Sequence, residues 1–389
     1  MQKLPHTLYR AEQVRELDRL AIEDHGLSGA TLMARAGAAA FAVLCARWPS
    51  TRRITVICGI GNNAGDGFVL ARLAQQAGWD VSVVQLGDAG CLRGDALAAR
   101  EAWLTSGGST IAFAGEIAGT AEVLVDALLG TGLKREVSGE WKDVIEAMNA
   151  SGIPVLALDI PSGLDADKGC VLGAAVKAEA TISFIGLKQG MFTGQAPDYC
   201  GTIIFDDLGV PPELFSRVPA SAARINLAGL PVLKPRPRTA HKGDAGHVLV
   251  IGGEQGMGGA VRMAAEAAAR VGAGLVTVAT RAEHVPGIIA ARPELLCCGI
   301  DDVAQMLPLI KVAHAIAIGP GLGRTPWAIK LFAAVLEARL PLVVDADALN
   351  LLALEPVARE HWVLTPHPGE AARLLGCSVT TVQADRFGA

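Results

Sequence analysis

The stretch Cys58–Gly67, "CGIGNNAGDG", follows the apolar run "RRITVIC" (52–58) and runs straight into "GFVLARLAQQAG" (67–78). The first flank has the β-branched, unalternating character of a strand buried on both faces. The second has the small and apolar residues of a packed helix. Between them, four glycines, two asparagines and an aspartate make a tight connection. "DVSVVQL" (80–86) supplies the next strand, so the unit is strand, loop, helix, strand. A connection of that kind joins parallel neighbours.

The rhythm continues outward from this unit. "RGDALAAREAWLTSGG" (93–108) reads as a helix and "EVLVDALLGTG" (122–132) as a strand entering a loop. "SGEWKDVIEAMNAS" (138–151) is a helix, and "IPVLALDIPSG" (153–163), "ATISFIG" (180–186) and "GTIIFDD" (201–207) are strands. The pattern predicts a doubly wound, Rossmann-like α/β sheet of about six strands. Upstream, residues 11–47 read as two helices, with Leu17, Leu20 and Ala21 at helical spacing, a break at Gly26, and Ser28 as a cap for the second. Residues 207–240 are proline-rich and read as a linker. Alternation then resumes through "GHVLVIGG", "AGLVTVAT", "AHAIAIGPGLG", "LPLVVDADALN" and "HWVLTPHPGE". We therefore expect two domains, 1–222 and 223–389.

Composition supports this. Hydrophobic residues make up 51% and aromatics 4% of the 389, so the cores must be aliphatic, as in sheets covered on both faces. The formal charge of -5 offers no basic surface for a nucleic-acid or membrane partner. The eight cysteines form no CxxC pair and read as reduced, mostly buried thiols of a cytoplasmic protein. The N-terminus is charged throughout, unlike a signal peptide. The apolar run "GAAAFAVLCARW" (37–48) is too short to span a bilayer.

In open parallel sheets ligands sit at the carboxyl ends of strands. The polar residues there are Asn62, Asn63 and Asp66, then Asp126, then Asp159, Ser162 and Asp165, then Lys188. Each has a plainer reading: Asp66 opening a helix, the asparagines in left-handed turns, Ser162 as a turn residue, Lys188 on the surface. Four successive strand ends carrying acids or amides are harder to explain that way. The loop departs from the dinucleotide fingerprint, whose third glycine would be residue 64, here Ala64, with Asp88 the candidate ribose acid. Amide, carboxylate and hydroxyl oxygens suit a hard cation, and the few full charges suit a monovalent one.

"NNAGDG" (62–67), "DALLGTG" (126–132), "DIPSGLDAD" (159–167) and "GLKQG" (186–190) resemble the NAD(P)H-hydrate epimerase family. "HKGDAGHVLVIGG" (241–253), "GAGLVTVAT" (272–280), "RPE" (292–294), "GPGLG" (319–323), "DADALN" (345–350) and "LTPHPGE" (364–370) resemble the ADP-dependent NAD(P)H-hydrate dehydratase family, whose fold is ribokinase-like. In this order, over nearly the whole chain, they resemble the bifunctional NAD(P)H-hydrate repair enzymes. That resemblance implies a small-molecule substrate, the hydrated cofactors NADHX and NADPHX. It implies K+ held by Asn63, Asp126 and Ser162, and substrate contacts at Asn62, Asn63, Ala64, Gly65 and Asp66. Further contacts are implied at Gly130, Thr131, Gly132, Leu133, Lys134, Arg135 and Glu136, and at Asp159, which is also the candidate catalytic acid/base. In the second domain it implies contacts at Ala260, Gly321 and His367, with ADP and a further candidate cofactor, Mg2+. Ala64 replaces the first glycine of the family's usual pair, at a cost of about 1 kcal/mol if that residue needs a positive φ.

The Gly-rich GGTGD segment with which the resembled dehydratases bind nucleotide does not occur in these 389 residues. The expectation that follows is an incomplete second domain whose nucleotide site is missing and which has no dehydratase activity. Two competing readings are a vitamin-precursor kinase of ribokinase-like fold and a non-catalytic nucleotide-binding module. A homo-oligomer is also expected.

Overall fold

The computed structural model describes residues 4–117, 120–230, 233 and 235–389. Pro231, Val232 and Lys234 of the proline-rich linker reading lie outside the described residues. The chain divides into two compact units, Met1–Pro231 with Ala384–Phe387, and Val232–Gln383 with Gly388–Ala389.

The first unit opens with a short strand β1 (Thr7–Leu8), helix α1 (Ala11–Glu23) and helix α2 (Gly29–Arg47). Gly26 takes φ +67°, and Ser28 Oγ accepts from Thr31 N at 3.1 Å, so the break and the cap fall where the sequence places them. Then come β2 (Arg53–Cys58), α3 (Asn62–Gln76), β3 (Asp80–Gln85), α4 (Gly94–Thr105), β4 (Val123–Ala127), α5 (Glu140–Ala150), β5 (Val155–Leu158) and β6 (Ala180–Phe184). Short helices α6 (Pro197–Cys200) and α7 (Pro212–Phe215) flank β7 (Thr202–Asp206), and β8 (Ala222–Ala223) pairs antiparallel with β1. The six main strands form one parallel sheet in the order β3-β2-β4-β5-β6-β7.

Every residue of β4, β5 and β6 is buried. Side chains alternate between faces. Val123 and Val125 join the core under α2, α3 and α4, with Phe68, Leu70 and Trp103. Leu124 joins the opposite core with Val144, Ile145 and Met148 of α5. Close approach of α3 to the sheet depends on Gly67, where an added Cβ would stand 2.5 Å from the Cβ of Ala127.

Two expectations need correction. Helix α2 begins at Gly29, so its 19 residues do have the length and apolarity to cross a membrane. Here its Leu32, Met33, Ala36, Ala40 and Leu44 face is buried in the core of the unit. Gly37 seats it on α3, since a Cβ there would meet Val69 at 2.4 Å. The cysteines are all free, but only Cys58 and Cys200 are buried, and Cys45, Cys91 and Cys377 are exposed.

The second unit contains β9 (His247–Ile251), α8 (Gly258–Arg270), β10 (Leu275–Thr280), α9 (Val285–Ala291), β11 (Leu296–Gly299), α10 (Val303–Val312), β12 (Ala315–Ile318), α11 (Pro326–Leu336), β13 (Leu342–Val344), α12 (Ala346–Leu352), β14 (Trp362–Leu364) and α13 (Pro368–Leu375). Its strands form a second parallel sheet, β11-β10-β9-β12-β13-β14. In both sheets the order reverses beside the first main strand, between β2 and β4 and between β9 and β12. Those reversal points open a crevice at the strand ends.

Candidate active site

In the first unit a cavity of about 930 Å3 opens at the reversal point. Its wall includes Asn62, Asn63, Asp66, Gly130–Ser138, Asp159, Phe184 and Ile185, together with Asp18 of α1 and Met33 of α2. Of the residues implied in this unit, Ala64 and Gly65 stand behind the wall, buried in the helix, and Asp126 and Ser162 lie beneath it.

The opening loop is not a loop along most of its length. Gly61 has extended backbone (φ −111°, ψ −172°) and ends the connection, and Asn62 begins α3. The reading of Asn62 and Asn63 as left-handed turn residues is therefore overturned. Ala64 is helical and buried, so it carries no positive-φ cost. Gly65 is needed for space, because a Cβ would lie 2.5 Å from Met33 Sδ and 3.0 Å from the Ala96 Cα. Asp66 is the fifth residue of α3 rather than its opening residue. Asp88 is used locally, accepting from Gly90 N at 2.8 Å, which leaves the dinucleotide fingerprint without its acid.

Asn63, Asp126 and Ser162 meet in one cluster. Asp126 stands in the middle of the sheet, in register with Ile57 of β2 and Ala157 of β5. Its Oδ2 accepts from Ser162 N at 2.7 Å, and its Oδ1 from Ser162 Oγ at 2.6 Å and Leu128 N at 3.2 Å. Burial pushes its carboxyl up to about 6, against the lowering effect of those hydrogen bonds. Ser162 Oγ in turn accepts from Leu129 N at 2.7 Å, and Asn63 Nδ2 donates to Leu129 O at 3.0 Å. Asn63 Oδ1 is buried without a hydrogen-bond partner. A buried amide oxygen left unpaired costs about 1–3 kcal/mol, which marks it as a place for an electropositive ligand. With a buried carboxylate and a serine oxygen alongside, the donor set fits a hard monovalent cation.

Asp159 follows β5 at φ +65°, a left-handed backbone that only Asn, Asp and Gly adopt at little cost. Its Oδ1 accepts from Lys188 Nζ, which also donates to Phe184 O at 3.0 Å and Ser183 Oγ at 3.1 Å. Lys188 is fully buried, which overturns its reading as a surface lysine. A buried ammonium requires such a partner. Ile185 (φ +62°) and Leu208 (φ +55°) also line the cavity, so three of the four described non-glycine residues with positive φ are here. Backbone strain of this kind concentrates where a site fixes its groups. Asp165 faces its own turn, accepting from Asp167 N and Lys168 N at 2.8 and 2.9 Å.

The residues of the chain match known proteins along its length. The family described as YjeF-related protein N-terminus matches residues 29–190, and the family described as NAD(P)H-hydrate dehydratase matches residues 248–389. The bifunctional NAD(P)H-hydrate repair enzyme Nnr of Coxiella burnetii is 53% identical over 383 residues, 98% of this chain and 78% of that protein. Its counterpart in Escherichia coli is 44% identical over 387 residues, covering 99% and 74%. The chain belongs to the bifunctional NAD(P)H-hydrate repair enzyme family. Among solved structures, the ADP/ATP-dependent NAD(P)H-hydrate dehydratase of Bacillus subtilis co-crystallised with ATP/Mg2+ is 31% identical, covers 40% of this chain and 56% of that one, and has a TM-score of 0.35.

As a repair-enzyme chain it carries both the epimerase and the dehydratase domain, with the second match running through residue 389. That match gives no support to the expectation of a missing dehydratase site. In the dehydratase domain, Ala260 lies in the first turn of α8, and Gly321 (φ +62°) follows β12. The two are adjacent, since a Cβ on Gly321 would come 3.3 Å from the Ala260 Cβ. His367 is exposed and caps α13, its Nδ1 accepting from Gly369 N at 2.9 Å. No described contact joins it to that pair. Sequence reasoning missed Glu254, which accepts from Arg281 Nε and Nη2 at 2.6 and 3.2 Å and from Thr325 Oγ1.

Proposed function

We propose that the first unit interconverts the R and S forms of hydrated NAD(P)H in the cavity between α1, α3 and the ends of β4, β5 and β6. The observation that carries this reading is the Asn63–Asp126–Ser162 cluster with its unpaired amide oxygen, set beside the Asp159–Lys188 pair at one cavity. Asn63, Asp126 and Ser162 would hold K+, which when bound supplies a fixed positive charge near the substrate's phosphates. The exposed cations Lys134 and Arg135 of the 130–136 segment suit the same anionic part of the substrate, as do the free N–H groups at the start of α3.

The reacting carbon is C6 of the hydrated nicotinamide, a hemiaminal centre bearing a hydroxyl beside the ring nitrogen. Inverting it requires the C6–O bond to break and re-form on the other face. Loss of the hydroxyl leaves a planar iminium cation. Asp159 supplies negative charge to that cation, and Lys188 fixes the carboxylate's position. Apolar Met33, Phe184 and Ile185 narrow the access of bulk water.

The test separates the two epimers by chromatography and follows their interconversion by the purified chain, with and without K+. We expect interconversion that K+ accelerates, with the K+ response lost in Asn63→Ala. Interconversion no faster than in buffer alone would refute the reading. Asp159→Asn at the full wild-type rate would remove Asp159 from it.

For the second unit we propose ADP-dependent dehydration of the S form, with Ala260 and Gly321 against the substrate. The residues described there do not build a Mg2+ site. Glu254 is occupied by Arg281, Asp347 Oδ2 accepts from Gly323 N at 2.9 Å, and Asp345 Oδ1 accepts from Thr365 Oγ1 at 2.7 Å.

A further inference from the structure

The cavity holds more acid than this reading uses. Asp18, Asp66, Asp95 and Asp159 all line it, around Lys188, the one buried cation among the described residues. A nucleotide substrate carries negative phosphates, so carboxylates gathered in its site are unfavourable unless they serve the other end of the molecule. The phosphate-compatible groups are Lys134, Arg135 and the start of α3, and of the four acids only Asp66 shares a segment with them. Asp159 is committed to Lys188 and acts as an acceptor. Breaking the C6–O bond needs a proton donor, because hydroxide is a poor leaving group and water a good one.

Asp18 is built for that task. Val14, Asp18 and Ile22 fall at intervals of four on α1 and form one stripe of the cavity wall, with the carboxyl set between two apolar side chains. No hydrogen bond or ion pair to a described residue satisfies it. A half-buried carboxyl on a rigid helix, without a structural partner and facing a ligand cavity, has its natural partner in the ligand. The charged groups around it are Arg15 on the same helix, Asp66 on α3, Asp95 on α4, and Asp159 and Lys188 at the sheet ends. Lys134, Arg135 and Glu136 stand across the cavity.

We propose, resting on the epimerase reading above, that Asp18 is a second catalytic residue of this cavity, the acid that protonates the departing C6 hydroxyl. The Asp18 proton bonds to the C6 oxygen, the C6–O bond breaks with its electrons leaving on water, and the ring-nitrogen lone pair closes the C6–N double bond. Water then adds to the opposite face and returns a proton to Asp18, so nothing is consumed. The protonation state needed is the one the surroundings favour. Burial first, then the negative charges of Asp159 and Asp95, push the Asp18 carboxyl up, with Lys188 opposing. The same influences, burial and then Asp159 and Asp18, hold Asp66 well above the usual carboxylate range.

The test compares Asp18→Asn, Asp18→Glu and Asp66→Asn in the whole chain. Asp18→Asn is expected to lower kcat for epimer interconversion about 100-fold or more, with KM little changed. Wild-type kcat is expected to fall as pH rises and the acid loses its proton. Asp18→Asn is expected to lose that limb and Asp18→Glu to keep it. Unchanged thermal unfolding of Asp18→Asn would rule out a structural cause. A protonated-carboxyl infrared band that titrates away along the same limb, lost in Asp18→Asn, gives a readout independent of turnover. A wild-type rate and an intact falling limb in Asp18→Asn would overturn the proposal while leaving the epimerase reading standing. So would absence of the infrared band, or loss of the limb only in Asp66→Asn. A wild-type chain that does not interconvert the epimers would instead sink the functional reading itself, and this proposal with it.

Discussion

The two units use the same architecture and treat the acids around their strand ends in opposite ways. Around the first crevice, Asp18 and Asp66 face the cavity without a described hydrogen-bond partner, and Asp159 sits on left-handed backbone. In the second unit Glu254 is clamped by Arg281 and Thr325, Asp347 holds the Gly323 turn, and Glu370 completes a cap with His367 N at 2.8 Å. A carboxylate already satisfied by protein donors holds loops in place. One left against a cavity, with its pKa raised, is available for chemistry. Nearness to the strand ends therefore does not separate the two roles, whereas the lack of a protein partner marks Asp18 and Asp66.

The sharpest way to break this contrast is to unpair the first crevice. Lys188→Met removes a fully buried ammonium and leaves Asp159 beside Asp18 and Asp66 with no counter-charge. Removing one partner of a buried pair costs about 3–5 kcal/mol, and the 18% exposure of Asp159 places this pair at the low end. Urea unfolding is expected to show a loss of about 3 kcal/mol, partly recovered in the Lys188→Met, Asp159→Asn double variant, with epimerisation abolished in both. A Lys188→Met single variant as stable as wild type would show that Asp159 is satisfied without its lysine.

A second test concerns packing beneath the site. Gly67→Ala places a methyl 2.5 Å from the Ala127 Cβ, 3.1 Å from Cys58 Sγ and 3.3 Å from Val56 Cγ1. All three belong to the buried strands β2 and β4, so α3 itself must move. Overpacking of this kind costs about 1–3 kcal/mol. Because Asn62 and Asn63 ride on α3, the K+ response of epimerisation is expected to weaken along with stability. Stability lost with an unchanged K+ response would show that the start of α3 is held independently of its middle.

In the second unit, Glu254→Gln removes the charge from the Arg281 clamp and is expected to cost about 1.5 kcal/mol, the lower range for a charged hydrogen bond. Arg281 remains stacked on Trp327, 4.3 Å from the ring centroid, which limits the loss. Burial raises the Glu254 carboxyl, but bonds from Arg281, Thr325 and Gln255 N outweigh it and bring it down to about 2. A lowered folded-state value contributes stability above the ordinary carboxylate range near 4.5, and that contribution is lost as pH falls toward 2. Acid titration of unfolding is therefore expected to separate wild type from Glu254→Gln above about pH 4.5 and to merge them near pH 2. A constant gap across that range would show that the clamp acts by shape alone.

Much of this organisation was legible in the sequence. Unbroken aliphatic strands, each ending in small or polar residues, specify a parallel sheet and its crevice, whereas the grouping of Asn63, Asp126 and Ser162 rests on the family resemblance, and the structure brings the three together. Asp18 escaped because it lies on a helix, where its place in the Val14–Ile22 stripe has meaning only once the cavity is known. Lys188 could be placed at the strand ends, but its burial and its pairing with Asp159, 29 residues earlier, could not be read from a lone lysine. Glu254 was hidden for the same reason, its partners lying 27 and 71 residues away. Local pattern carries the scaffold, and long-range pairing decides which polar residues are free.

The smallest effect returns to residue 64, where the family's usual glycine is alanine. A glycine there would be needed if the backbone turned left-handed or if a neighbour crowded the Cβ. Neither holds, since Ala64 is helical, and it packs fully buried beside Cys58, whose Sγ lies 3.7 Å from the Ala64 carbonyl oxygen. Within a helix, alanine is favoured over glycine by about 0.5–1 kcal/mol through the backbone freedom that glycine loses on folding. Ala64→Gly is therefore expected to destabilise the first unit by about 0.5 kcal/mol, toward the low end because the site is in the first turn, and to leave epimerisation at the wild-type rate. A faster Ala64→Gly enzyme would mean that the start of α3 must loosen during turnover, and that the rigid crevice described for this unit is only its resting state.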